Sequence, residues 1–140
     1  MEETLIPLKE WICDVCGDVI TDQYDWLEWE ETPLTGKAKD FRIVHHKCKR
    51  SGKDTNLNDL YIHRVVGVEG LAILLNILEN SDPSKVSELT EIIRRLHFPY
   101  YEEARRFLPL AWAEGEIPRT TQITIEDCKR VISEYSKYVE

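Results

Sequence analysis

The chain has 140 residues, a formal charge of −8 and 42% apolar residues, enough for one domain with a real core. No run reaches the about eighteen apolar residues of a membrane span, and the acidic start MEETLIPLKEW lacks the basic and apolar regions of a secretory signal, so a cytoplasmic protein is expected. Residues 1–64 and 65–140 each carry nine Lys/Arg against thirteen Asp/Glu. Nucleic-acid-binding domains are usually basic because phosphate contacts supply much of their affinity; this balance disfavours nucleic acid and points to another protein as partner, while leaving room for a local basic patch.

In chain order, WICDVCGDVI (11–20) sets Cys13 and Cys16 three positions apart with Gly17 behind them. QYDWLEW (23–29) alternates, Tyr24 and Trp26 on one side and Leu27 and Trp29 on the other, which predicts a strand. A loop with Pro33 and Gly36 (31–40) leads to a second strand, FRIVHH (41–46), giving a long hairpin. The polar stretch KRSGKDTNLND (49–59) predicts a loop between two lobes.

Beyond residue 66 the period becomes helical. GLAILLNILEN (70–80) is apolar on most sides and predicts a helix at the centre of the core. Asp82 as N-cap and Pro83 at the first helical position open the next helix, striped by Val86, Leu89, Ile92, Ile93 and Leu96. A further helix starts at Pro99, breaks before Pro109 and stops near Gly115. The last begins with a Thr124/Asp127 capping box and buries Ile125, Cys128, Val131, Ile132, Tyr135 and Tyr138 or Val139. The predicted fold is α+β: a zinc-stapled β-hairpin lobe (1–60) followed by a lobe of about four helices (61–140), packed as one compact unit. Trp11, Trp26, Trp29 and Tyr24 are expected in the core of the first lobe, with a protein-binding patch as the alternative, and PYYEEARRF (99–107) is the other candidate binding surface, with exposed tyrosines and mixed charge.

Cys13-x2-Cys16 and His45-x2-Cys48 have equal spacing, and the hairpin returns the second pair beside the first. Four N/S donors in a tetrahedron suit Zn2+. A Cys3His set has no open position for water or substrate, so one structural zinc is expected, and a site that staples rather than catalyses. Whether His45 or His46 completes the set depends on whether the chain turns after residue 45 or continues as a strand, whose period of two would pair His46 with Cys48. A redox pair is the other use of Cys-x2-Cys, but no βαβ unit surrounds it, and Asp14 and Asp18 are expected to raise the thiol pKa. Cys128 is expected as a small buried side chain.

The two pairs over residues 11–48 resemble the paired-knuckle zinc modules of the zinc-ribbon, LIM and treble-clef kind, although the 28 residues between them exceed a typical LIM spacing. VHHKCKRSGKDTNLNDLYIHR (44–64) resembles the core of HNH nucleases. That resemblance implies metal-assisted phosphodiester hydrolysis, with His45 and His63 on a catalytic cation, His46 activating water, Asn56 or Asn58 orienting His46, and Lys47, Lys49, Arg50, Lys53 and Arg64 on phosphates. The second Cys-x2-Cys pair usual in zinc-containing members is missing, and His45 cannot serve both metals.

Residues 86–117 superficially resemble a helix-turn-helix, which would offer Tyr100, Tyr101, Glu102 and Glu103 to DNA. The alternative is a helical hairpin with the Arg94/Arg95 and Arg105/Arg106 pairs in solvent. With no phosphate loop, nucleophile elbow or catalytically spaced carboxylate pair in the sequence, the expected role is a non-enzymatic zinc-binding interaction or regulatory module.

Overall fold

The structure is a computed structural model that describes residues 5–50, 56–117 and 123–136. The fold is α+β, as expected. Strands β1 (Trp11–Ile12) and β2 (Val19–Ile20) form a short antiparallel ribbon around the first cysteine pair. β3 (Trp26–Glu31), β4 (Ala38–Val44) and β5 (Leu57–Tyr61) form an antiparallel sheet in the order β4-β3-β5. Among the described residues six α-helices follow: α1 (Ile62–Val65), α2 (Gly67–Glu79), α3 (Val86–His97), α4 (Tyr101–Ala104), α5 (Leu108–Ala113) and α6 (Ile125–Tyr135).

The hairpin forms, with Leu27 and Trp29 buried and Trp26 half-buried, but Tyr24 is exposed rather than in the core, because it lies in the turn before β3. Both strands reach further toward the turn than expected. A bulge beside Trp29 is accommodated by Asp40 at φ 58°, whose N–H is capped by Glu88 of α3. β5 is a correction, since residues 57–59 belong to a strand rather than a loop. Asn58 and Asp59 are poor strand formers, and the free edge of β3 recruits them through backbone bonding, with Leu60 partly buried on the core.

Trp11, Leu27, Ile43, Val44, Ile62, Val65, Leu74, Leu89, Ile92 and Leu96 make one core between sheet and helices. A second cluster, including Tyr101, Ala104, Leu108, Ala111, Cys128, Val131 and Tyr135, joins α4, α5 and α6. The helical stripes hold at their centres and fray at their ends, where Val86 and Ile125 lie exposed; Tyr138 and Val139 lie outside the described residues. Cys128 is buried as expected, and burial pushes its thiol up to about 11.

Two helical expectations are corrected. α2 is not central: Gly70 and Leu74 are its fully buried residues, while Val68, Ala72 and Leu75 face outward. The helix expected from Pro99 starts at Tyr101, after Tyr100 takes a left-handed conformation, and lasts one turn. Its Tyr101, Glu102 and Glu103 are buried, so neither a DNA-facing row nor a tyrosine-rich surface is presented there. Asp82 caps Ser84 at a 3-10 turn (Pro83–Lys85) leading into α3.

Candidate metal centre

The Cys13–Cys16 loop is shaped by its backbone. Cys13 N–H donates to Asp18 O (2.9 Å) and Gly17 N–H to Cys13 O (3.0 Å), with Gly17 at φ 81° supplying the left-handed return. Asp14 then docks the loop on β4: its N–H donates to Ile43 O (2.9 Å), and its carboxylate accepts from Ile43 N–H (2.8 Å). The second pair sits just past β4. His45 is extended, and a 3-10 turn over His46–Cys48 carries Cys48 N–H back to His45 O (2.8 Å). That turn brings His45, and not His46, to the same side as Cys48.

The Sγ atoms of Cys13, Cys16 and Cys48 and a ring nitrogen of His45 all lie within 4.8 Å of one another, and the four residues are positioned to hold a metal ion. His45 Nδ1 lies 3.4 Å from Cys16 Sγ, close to the about 3.6 Å edge of a tetrahedron built from Zn–S and Zn–N bonds. His45 Nε2 is 3.2 Å from Val19 O. A carbonyl can only accept, so Nε2 carries a proton, which leaves Nδ1, the nitrogen facing the thiols, as the one able to ligate a metal. Holding a ligating imidazole through its other nitrogen is the usual outer support of a metal site. The donor set fits Zn2+.

The Cys13 thiol is electrostatically prepared for a cation. Burial opposes ionisation of Cys13, but N–H groups of Cys16, His45 and Val15 outweigh it and bring the thiol down to about 6. The like-charge effect expected from Asp14 does not prevail, because that carboxylate is engaged by Arg95 and by Ile43 N–H. Cys48 moves the other way, to about 11, through burial and the adjacent Cys13 and Cys16 sulfurs. Without a metal, Cys13 therefore ionises readily and Cys48 resists ionisation, whereas a divalent cation would remove that resistance.

Arg95 is the residue that sequence reasoning missed. Only 2% exposed rather than solvated, it donates to Asp14 Oδ2 (2.7 Å), Ile12 O (3.0 Å) and both oxygens of Glu102 (2.7 and 2.9 Å). Its own carbonyl accepts from Trp11 Nε1 (2.9 Å), and Glu102 also accepts from Ile12 N–H (2.9 Å). Burial alone would favour loss of the guanidinium proton, but Glu102 and Asp14 reverse this and keep it charged. A signal was available: Arg95 falls at the spacing of three shared by Leu89 and Ile92, in phase with the buried stripe.

The other candidates go elsewhere. His46 donates its N–H to Asp25 Oδ1 (2.9 Å) and places Nδ1 3.0 Å from the same oxygen. His63 packs against the rings of both Tyr24 and Tyr61. Glu31 N–H bonds to Asn56 O and Asn58 pairs with Trp29, so both asparagines serve the sheet. Arg50 binds Glu28 and Glu30. Lys53 lies outside the described residues. No protein-family model, curated protein or solved structure matches the chain.

Proposed function

We propose that the chain is a non-enzymatic zinc-binding module of the paired-knuckle kind, in which the metal is structural and the protein acts in regulation by docking another protein. The carrying observation is the convergence of three thiols and one imidazole within 4.8 Å. These donors fill the four positions of one tetrahedral zinc and leave none for a reacting group. The metal secures the short β1–β2 ribbon and the end of β4, which are too small to hold their shape on burial alone. Tyr24 and Tyr61 already engage His63, one of the two histidines a catalytic cation would need, and Asp25 engages His46, the one that would activate water. A reducing cytoplasm keeps the thiols available. Support for a protein partner comes from Val68, Ala72 and Leu75 on the outer face of α2, since exposed apolar rows mark interaction surfaces.

Elemental analysis tests the proposal. Protein purified without added metal should hold one zinc per chain through dialysis, and Cys16→Ser should lose it. Plasmid nicking that requires added Mg2+ or Ni2+ and disappears in His46→Ala would overturn it in favour of the nuclease alternative.

A further inference from the structure

Although the two halves of the chain carry equal charge, residues 41–64 hold six Lys/Arg against two Asp/Glu, while the rest holds twelve against twenty-four. The positive segment forms β4, the second metal pair and β5. Arg42 and Arg50 are committed to Glu28. Lys47, Lys49 and Arg64 are exposed, and no described carboxylate lies in ion-pair range of them.

Lys49 and Arg64 border a group of rings that the core absorbs only in part, Trp26 packing against it from one side. Trp26 and Tyr61 are register partners on β3 and β5, their centroids 6.1 Å apart. Tyr61 meets Tyr24 edge-on at 5.4 Å and stacks on His63 at 5.5 Å. Lys49 Nζ lies 4.6 Å over the Trp26 ring, and Arg64 follows His63 in the chain. Tyr24 is 64% exposed and Tyr61 44%. Rings held open to water gain nothing for folding from the exposed area.

We propose that this face binds single-stranded nucleic acid, bases stacking on Tyr24, Tyr61 and Trp26 and phosphates meeting Lys47, Lys49 and Arg64. Charge complementarity selects the polyanion, since the cations gather here on an otherwise acidic chain. The rings select single strands. Tyr61 stands at 69° to Tyr24 and at 87° to Trp26, so bases resting on these rings cannot keep the parallel stack of a duplex and come from an unstacked strand. The surface uses none of the four candidate ligands and goes beyond the zinc reading.

The test is fluorescence anisotropy of labelled oligonucleotides with the zinc-loaded full chain, comparing single-stranded RNA, single-stranded DNA and duplex. Micromolar-range binding of a single strand is expected, with a log–log salt slope of about −2 if three phosphates are neutralised. Tyr24→Ala should weaken it by about fivefold or more, Tyr24→Phe should not, and Lys47→Gln/Lys49→Gln should flatten the slope. Both tyrosine variants keep the fold if their melting matches the parent. Absence of binding, equal or tighter binding of duplex, or indifference to Tyr24→Ala overturns the proposal. Whether RNA or DNA binds better identifies the sugar. Intact zinc content alongside any of these results separates this failure from failure of the metal reading.

Discussion

Arg95 Nη1 lies 2.7 Å from Asp14 Oδ2, so a side chain of α3 holds the loop between two candidate metal ligands. The same guanidinium grips Glu102 of α4 through both carboxylate oxygens. One cation thus joins the knuckle, the β1 backbone and the helices. Truncating it leaves Glu102, itself only 6% exposed, without its counter-ion. Arg95→Ala should cost about 3–5 kcal/mol, measured by urea unfolding of the zinc-loaded protein. It should also speed zinc transfer to a chromophoric chelator, because Asp14 loses its anchor. Arg95→Lys should recover only part of the stability, since an ammonium cannot match the bidentate fork.

The two adjacent histidines provide a sharper contrast. His45 Nδ1 faces the thiols while Nε2–H donates to Val19 O; His46 is engaged with Asp25. His45→Ala should weaken zinc binding by more than the about 10–100-fold typical of losing an outer-shell partner. His46→Ala should leave zinc stoichiometry unchanged. Co2+ substitution reads this directly, because tetrahedral thiolate bands should persist in His46→Ala and weaken or shift in His45→Ala.

How much of this was legible in advance divides along physical lines. The knuckle residues could be read because spacing of three and a following glycine are local constraints, and the alternation of 24–29 depends only on strand periodicity. The choice between His45 and His46 rested on a backbone turn that neither residue type dictates. β5 was hidden because Asn58 and Asp59 look like turn residues, and pairing with an existing edge overrode their propensity. The burial of Glu102 and Glu103 was hidden for a related reason. A carboxylate reads as solvated until its partners are known, and Arg95, Ile12 N–H and Leu5 N–H come from distant parts of the chain.

Gly70 tests how closely α1 and α2 approach. A Cβ built there would lie 2.1 Å from the carbonyl carbon of Val65, a backbone atom that cannot swing aside. In an isolated helix Gly→Ala would help by about 1 kcal/mol. Here overpacking should reverse the sign, with Gly70→Ala destabilising by about 1–3 kcal/mol. Thermal unfolding checks it, and an unchanged or raised Tm would show that the two helices separate easily.

The start of α6 offers a prediction in pH. Thr124 Oγ1 accepts the Asp127 N–H (3.0 Å), and the Asp127 carboxylate accepts the Thr124 N–H (3.1 Å), closing both halves of a capping box. The Thr124 backbone N–H, with the Thr124 side chain and Arg130, holds the Asp127 pKa below its ordinary 3.8 against a small opposing burial effect. A carboxyl whose pKa is depressed on folding binds fewer protons in the folded chain. Its contribution is therefore present above about pH 4 and fades as pH falls through the depressed value. Asp127→Asn should destabilise the protein modestly at pH 7, and Thr124→Ala by about 1 kcal/mol. The gap between parent and Asp127→Asn should narrow below pH 4, even though acid also strips metal, because metal loss lowers both proteins alike. Parallel thermal melts at neutral and acid pH decide it: a gap of constant size would mean that the Asp127 charge adds nothing to the cap.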